Sequence, residues 1–324
     1  MRPVLRPGTH VLRRDRDELQ VGLDPRNAVV LPDDSDTRAS LALLSSSADV
    51  REYDASRTLD LLQTHGLLLD GSTFLPLIPS CEAGASTRET HRTSRQGRPE
   101  TSRQDVAALA RSAGDAAGAR LDARTGCRVD ISTFTDAPDQ TLAVTLVDLL
   151  HEAGVRTRRR PSRNSRGTPV PPWRPPSATT DVAALVGVGE PQRDLIDDWM
   201  RTGTPHVLVR LSEGSATVGP FVVPGRTACL RCLDAHHTDA DPSWPLLVAQ
   251  YASLSRRDRS DGVPEPVDSI LANLALTWAA RDIASYAEGL RPSTWSATLR
   301  FDPHLTSIEN RAWLRHAECG CGWH

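Results

Sequence analysis

The sequence predicts an α/β protein in two parts, a small N-terminal α+β module and a larger mixed α/β domain. Residues 81–104 between them are polar and almost free of apolar side chains, which is typical of an interdomain linker. After Asp181, short hydrophobic runs alternate with helical patterns, as in the strands and helices of one α/β sheet. Four of the six cysteines form two close pairs in this second region, the spacing expected of metal ligands.

Residues 1–80 combine strands, helices and a terminal hairpin. Hydrophobic alternation in Val11–Leu31 predicts strands separated by turns. Leucines at helical spacing predict helices in Thr37–Ser45 and Ala55–His65, and a turn at Asp70-Gly71 predicts a hairpin over residues 67–78. This order of elements predicts a small winged-helix module.

The second domain is predicted over residues 105–324. Its predicted helices are Asp105–Leu121, Thr141–Ala153 and Val267–Ala287, and its predicted strands are Asp181–Val188, His206–Leu211, Ala216–Val223 and Trp295–Phe301. The last strand alternates strictly between apolar and polar residues, which indicates a half-buried, antiparallel strand. Residues 156–176 are rich in arginine, serine and proline, and we predict a disordered loop there.

Composition disfavours several classes of function. The formal charge is −3, and residues 1–80 carry nine arginines against twelve acidic residues, whereas a DNA-binding winged helix needs a basic surface. No apolar run is long enough to span a membrane, and Met1–His10 lacks the apolar core of a signal peptide. We therefore expect a cytoplasmic protein that binds neither nucleic acid nor membranes. All 38 basic residues are arginines, so the chain contains no lysine.

The two cysteine pairs predict one structural zinc ion. Cys229 and Cys232 are separated by two residues, so both thiolates can reach one ion from a tight turn, and Cys319 and Cys321 form the second pair. Four thiolates complete the tetrahedral coordination of zinc and leave no open position for catalysis. Disulfides are disfavoured because the cytosol keeps thiols reduced.

Other ligands remain open at this point. His316 or His324 could replace one of the four thiolates. Cys81 and Cys127 stand alone and beside no evident base, as is usual for unreactive cysteines. We assign no catalytic residue in the chain.

The stretch Gly219–Asp234, GPFVVPGRTACLRCLD, resembles the E1-like (ThiF-type) proteins of the cyclodehydratase family, which serve the biosynthesis of azole-modified peptides such as bacteriocins. The resemblance covers Asp181–Trp244 and continues to the CGCG sequence at the C-terminus. It implies an E1-like domain with a four-cysteine zinc site and a homodimer. The implied ligands are Cys229, Cys232, Cys319 and Cys321.

The same resemblance implies that residues 1–80 capture the leader of a precursor peptide. Such modules bind the extended leader as an added strand at a sheet edge. We map that edge onto Val11–Leu31, with Val21, Leu23, Val29 and Leu31 as the candidate peptide-binding residues. The implied partners are the precursor peptide and a separate peptide-modifying enzyme acting in trans.

The alternative function is an ATP-dependent, ThiF-like adenylating enzyme that activates a carboxylate. Such an enzyme needs a glycine-rich turn between its first strand and a helix, and its family places a lysine on the phosphate. No such turn precedes the helix at Asp105, and Gly187-Val188-Gly189 is followed by Pro191 and Gln192 where the motif needs its third glycine. We therefore expect a degenerate E1-like scaffold without ATP as a cofactor and without cofactor-binding residues.

Overall fold

The computed structural model describes residues 3–44, 57–74, 101, 103–134, 137–159, 180–254 and 263–321. The chain divides into two compact units, Met1–Arg98 with Arg257–Glu265, and Pro99–Arg256 with Pro266–His324. The predicted linker, 81–104, lies outside the described residues except for positions 101, 103 and 104. No helix in these described ranges is both long enough and apolar enough to cross a bilayer.

The first unit contains two small antiparallel sheets and short helices. Its strands are β1 (Pro3–Leu5), β2 (Val11–Arg13), β3 (Glu18–Val21), β4 (Val29–Pro32) and β5 (Leu68–Asp70). The helices are α1 (Ser35–Leu44), α2 (Arg57–Thr64) and α3 (Gly71–Phe74). One sheet has the order β2-β3-β4, and the other pairs β1 with β5. Leucines and valines of both sheets pack with Leu41, Leu44 and Leu62 of the helices in one core.

The turn predicted at Asp70-Gly71 is wrong. The Asp70 side chain accepts hydrogen bonds from Ser72 N at 3.0 Å and from Ser72 Oγ at 2.7 Å. These bonds stabilise the start of a helical turn, so the chain enters α3 directly after β5. Leu68 of β5 pairs with Leu5 near the start of the chain, and residues 75–78 of the predicted hairpin lie outside the described residues.

The second unit is built on a mixed sheet, as the sequence predicts. Its strands are β6 (Arg128–Thr133), β7 (Arg156–Arg159), β8 (Val182–Val188), β9 (His206–Ser212), β10 (Ser215–Val222), β11 (Ala297–Phe301) and β12 (Ile308–Ala312). Their order is β12-β11-β10-β9-β8-β6-β7. The pairs among β7, β6, β8 and β9 are parallel, whereas those among β9, β10, β11 and β12 are antiparallel.

Helices cover both faces of this sheet. They are α4 (Arg103–Ala113), α5 (Ala117–Gly126), α6 (Ala137–Glu152), α7 (Asp197–Thr202), α8 (Leu230–Ala240), α9 (Trp244–Leu254) and α10 (Ser269–Ala287). Leu146 of α6 and Leu276 of α10 join the core on one face, and Trp199 of α7 joins the core on the other. Because alternate residues of β8 enter opposite cores, the whole strand is buried and reads as one continuous apolar run.

Several predicted elements of this unit are confirmed and two change. The predicted strands coincide with β8, β9, β10 and β11, and β11 is antiparallel as expected. The predicted helix Asp105–Leu121 is interrupted by a short 3-10 turn at Gly114–Ala116. Four residues of the predicted loop 156–176 form β7. Arg158 of this strand donates two hydrogen bonds, of 3.1 and 2.9 Å, to the Asp130 carboxylate of β6. Residues 160–179 lie outside the described residues.

Candidate functional site

The four predicted zinc ligands lie together in the second unit. Cys229 directly precedes α8, Cys232 lies in its first turn, Cys319 ends a short 3-10 turn, and Cys321 follows. The Sγ atom of Cys229 is 3.8 Å from that of Cys232 and 3.5 Å from that of Cys319, and the Sγ atoms of Cys232 and Cys321 are 3.3 Å apart. These distances exceed the disulfide length of about 2.05 Å, so the sulfurs are not bonded to one another.

The spacing of the sulfurs fits a tetrahedral metal site. All four lie within 4.8 Å of one another. Zinc–sulfur bonds of about 2.3 Å place the sulfurs of a tetrahedral site about 3.8 Å apart. Cys229 and Cys232 are buried, and Leu233 and Trp313 pack beside them in an apolar shell. The cluster could therefore hold a metal ion such as zinc.

The electrostatics of the cluster favour a cation. The Cys229 thiol donates to the Cys232 sulfur, which lowers the pKa of Cys232 to about 4. The same hydrogen bond, together with burial, raises the pKa of Cys229 far above its ordinary value. Burial raises the pKa of Cys319 to about 12. A divalent cation bound among these sulfurs would stabilise several thiolates together.

His316 is engaged by other groups beside the cluster. Its Nδ1 accepts a hydrogen bond from the Glu318 N–H at 3.2 Å, so in the neutral ring Nε2 donates to Asp239 Oδ2 at 2.9 Å. The donor atoms of His236, Asp239 and His316 also lie within 4.8 Å of one another. Since both nitrogens of His316 have partners, the four thiols are the better ligand set. His324 lies outside the described residues.

In doubly wound α/β sheets, nucleotides bind at the carboxyl ends of the two strands where the strand order reverses, and here these strands are β6 and β8. The chain leaves β6 through α6 to β7 on one side, and β8 lies on the other side, which is a topological switch point. Phe134, directly after β6, and Asp139, in the first turn of α6, are both buried there. The Val188 N–H donates to Asp139 Oδ1 at 3.0 Å.

Phe134 and Asp139 pack closely against β8 at this point. A Cβ atom on Gly187 of β8 would lie 2.5 Å from Asp139 Oδ2 and 2.6 Å from Phe134 Cδ2. Asp139 also places a carboxylate at the N-terminus of α6, where the helix dipole favours an anion. We did not expect either role from the sequence. An acidic residue early in a helix that follows a buried strand is the only signal for it.

An ion-pair network lies beyond β8. Glu190 accepts one hydrogen bond from Arg193 and one from Arg210, each 2.9 Å long. Arg193 also donates two hydrogen bonds, of 2.8 and 2.7 Å, to Asp234 of α8. Trp244 at the start of α9 donates from Nε1 to Asp234 at 3.0 Å. The two arginine charges are therefore matched by the two carboxylate charges. A cavity of about 600 Å³ adjoins the network between α8 and α9.

The four predicted peptide-binding residues are all buried in the first unit. Val21 lies in the central strand, where it pairs with Val11 on one side and Val29 on the other. Leu23 follows β3. Only Val29 and Leu31 belong to an outer strand of this sheet, β4. Their side chains therefore contribute to the core, and an added strand would meet β4 through its backbone.

The register of β4 decides which of its backbone N–H and C=O groups point away from β3. The Asp33 N–H donates to the Asp17 carbonyl at 2.7 Å, and hydrogen-bonded pairs alternate along an antiparallel ladder. In the observed register, Leu31 and Val29 therefore bond to β3, and the N–H and C=O of Val30 point away from it. The Val30 side chain is 43% exposed.

Comparison with known proteins supports the fold. No protein-family model matches the chain, and no curated protein matches it. The solved structure of the heterocyclase TruD is similar over 99% of this chain and 42% of that chain, with 17% identity and a TM-score of 0.51. The chain thus spans less than half the length of TruD. The structural likeness to TruD shows a shared fold.

Two further structures are similar over 99% of this chain. One is a heterocyclase in complex with substrate and cofactor, at 14% identity, 39% coverage of that chain and a TM-score of 0.49. The other is E. coli MccB with MccA, at 12% identity, full coverage of that chain and a TM-score of 0.46.

Proposed function

We propose that this chain is a non-catalytic partner protein of a cyclodehydratase system that binds the leader of a precursor peptide. In this proposal the peptide is delivered to a separate modifying enzyme in trans. The observation that supports the non-catalytic part is the close packing of Phe134 and Asp139 against Gly187 at the switch point, where a nucleotide-binding sheet needs space for phosphate. The chain also contains no lysine to contact a phosphate.

A structural zinc ion on Cys229, Cys232, Cys319 and Cys321 is part of the proposal. Bound there, zinc would supply a covalent link between α8 and the C-terminal segment and no reactive position. The sulfur spacing and the apolar shell support this assignment. The scaffold is then an E1-like domain that has kept its metal clamp without its nucleotide site.

Peptide capture is proposed at the outer edge of β4. The outward N–H and C=O of Val30 supply one donor and one acceptor to an added strand, and its exposed side chain supplies an apolar contact. Val29 and Leu31 hold the strand in the core. A winged-helix identity for this unit, a homodimer and a cytoplasmic location belong to the same proposal.

Proline at position 30 tests the peptide edge. Val30→Pro removes the outward N–H and leaves the β3–β4 bonds intact, because proline is tolerated at such a position of an edge strand. We expect binding of a fluorescently labelled leader peptide from a cyclodehydratase precursor to weaken at least about tenfold, the equivalent of about one main-chain bond.

Val11→Pro is the matched control on the opposite edge. The N–H of Val11 points away from β3, because the Gly22 N–H donates to the His10 carbonyl and bonded pairs alternate. This variant should bind the peptide as the wild type does. Equal weakening by both variants would assign the loss to the sheet as a whole, and unchanged binding by Val30→Pro would refute capture at β4.

A further inference from the structure

Three exposed arginines of the second unit lie around one tryptophan. The guanidinium carbon of Arg226 is 5.7 Å from the centre of the Trp295 ring, and that of Arg291 is 5.8 Å from it. Arg315 donates from Nη1 to the carbonyl of Gly225, the residue before Arg226, at 2.8 Å. These four side chains, Arg226, Arg291, Arg315 and Trp295, are called the arginine patch below.

The arginine patch carries positive charge that no carboxylate neutralises. Among the residues that the structure describes, none of its three arginines forms an ion pair. The indole N–H of Trp295 and the hydroxyl of the neighbouring Tyr286 have no hydrogen-bond partner in those ranges either. Glu288, the acidic residue nearest to the second arginine in sequence, has a fully buried side chain that pairs with Arg124 at 2.6 Å. The patch therefore offers hydrogen-bond donors and charge to an anionic ligand.

The loops that carry the patch are fixed by internal hydrogen bonds. The buried carboxylate of Asp282 accepts four of them, from the N–H and hydroxyl groups of Ser293 and Thr294, at distances between 2.5 and 3.0 Å. In the other loop, the Val223 N–H donates to Thr227 Oγ1 at 2.8 Å. A ligand loses less affinity to the ordering of side chains and loops when its contacts are held in place before it binds.

An exposed leucine extends the patch. The Trp313 N–H donates to the Ser296 carbonyl at 2.7 Å, at the end of the ladder between β11 and β12. In this register the next residue along the chain, Leu314, corresponds to Trp295. The Leu314 side chain is 80% exposed. Tryptophan, arginine and an exposed apolar side chain together are typical of the energetic centre of a protein interface.

We propose that the arginine patch binds an acidic segment of a partner protein. Carboxylates of that segment pair with the three guanidinium groups, and an apolar side chain of it contacts Trp295 and Leu314. Arginine suits this role because its planar guanidinium can donate two parallel hydrogen bonds to one carboxylate. A free phosphate would use the guanidinium groups but would leave the exposed apolar side chains uncovered. The site goes beyond the proposed function and depends neither on leader capture at β4 nor on zinc.

Calorimetric titration of the full chain with a short synthetic peptide of alternating glutamate and leucine tests the site. We expect saturable one-site binding that weakens as the salt concentration rises, because salt screens the charges. The same peptide with glutamine in place of glutamate should not bind. The absence of saturable binding by the glutamate peptide, or equal binding by the glutamine peptide, would overturn the proposal.

Charge removal places the peptide on the patch. Arg226→Gln and Arg291→Gln should each raise the dissociation constant of the glutamate peptide at least about tenfold, because each removes charge-assisted hydrogen bonds. Both side chains are exposed, so the unfolding midpoints should match that of the wild type. Arg111→Gln is the matched control, since Arg111 is an exposed arginine of α4 outside the patch, and it should leave binding unchanged. Equal weakening by Arg111→Gln would show general charge attraction and overturn the site.

Two further measurements separate the patch from other binding modes. Val30→Pro should leave binding of the glutamate peptide unchanged, so failure of the patch and failure of leader capture are distinguishable. A glutamate peptide that is lost with Val30→Pro but kept with Arg291→Gln would bind at β4 and overturn the patch. Inorganic phosphate should displace the peptide no more than sodium chloride of equal ionic strength does, and specific displacement would replace the acidic segment by a phosphate ligand.

Discussion

Asp139 accepts a hydrogen bond from the backbone N–H of Val188, with 3.0 Å between Oδ1 and N. This contact joins the first turn of α6 to the end of β8 and places a carboxylate at the switch point. In an E1-like enzyme that place has to remain open for phosphate. The contact therefore supports the proposal that this domain is a non-catalytic scaffold.

A substitution at Gly187 tests how closely Phe134 and Asp139 pack against β8. We expect Gly187→Ala to destabilise the protein by about 1–3 kcal/mol, because its Cβ would collide with Asp139 and Phe134. Urea unfolding measures the effect. Gly118→Ala is the control, since Gly118 is helical and, among the described residues, no atom outside its own helix backbone and chain neighbours lies within 4 Å of its Cβ; the change should stabilise by up to about 1 kcal/mol. A neutral Gly187→Ala would mean that these side chains are not closely packed there.

Zinc content tests the cysteine cluster. We expect one zinc per chain by elemental analysis of the purified protein, and its loss in Cys229→Ser, with a lower unfolding temperature because the metal joins α8 to the C-terminal segment. Cys127→Ala removes a buried cysteine outside the cluster and should keep the zinc. A wild type without stoichiometric metal would refute the assignment.

Asp234 tests the ion-pair network beyond β8. Replacing it with alanine leaves the Arg193 guanidinium without its two-bond partner, and we expect a loss of about 3–5 kcal/mol by chemical denaturation. Asp197→Ala breaks a pair with Arg231 in which both side chains are 47% exposed, and it should cost less than about 1 kcal/mol. Equal costs would show that the network is solvated.

The buried side chain of His206 should make the stability of the protein depend on pH. Burial lowers the pKa of His206 from 6.5 to about 4. The unfolded chain therefore binds a proton that the folded chain excludes, so this contribution is complete above about pH 6.5 and is lost as the pH falls towards 4. The loss amounts to about 3 kcal/mol. His237, whose pKa burial also lowers to about 4, acts in the same direction.

A histidine replacement isolates this effect. Free energies of unfolding measured between pH 7 and pH 4.5 should fall less steeply for His206→Phe than for the wild type. His304→Phe alters an exposed turn residue and should leave the slope unchanged. A slope that is insensitive to His206→Phe would contradict the pKa shift.

Local signals in the sequence account for much of the second unit. The cysteine pairs predicted the cluster because each pair is fixed by a short turn. The strands β8 and β9 were predictable from long apolar runs, which burial on both faces requires. By contrast, α9 was missed because its residues are apolar all round and lack a helical period. The pairing of β1 with β5 joins distant parts of the chain, and no local pattern encodes it.

The position of a strand within a sheet and the packing of a helix on it could not be predicted from the sequence. Alternation correctly indicated that Val21 and Val29 lie in strands, but it does not state which strand is central and which is outer. Phe134 and Asp139 meet Gly187 only because α6 packs on β8, which depends on the assembled sheet. The absence of a glycine-rich turn from the sequence suggested that a nucleotide site is missing, whereas the packing of Phe134 and Asp139 against β8 could be seen only in the structure.

The most direct test of the scaffold is calorimetric titration of the zinc-loaded protein with Mg-ATP. We expect no saturable heat up to millimolar nucleotide, because Phe134 and Asp139 pack closely against β8 where phosphate would need space. Saturable one-site binding would contradict it, and the ATP-dependent adenylating enzyme would then become the better description of this chain.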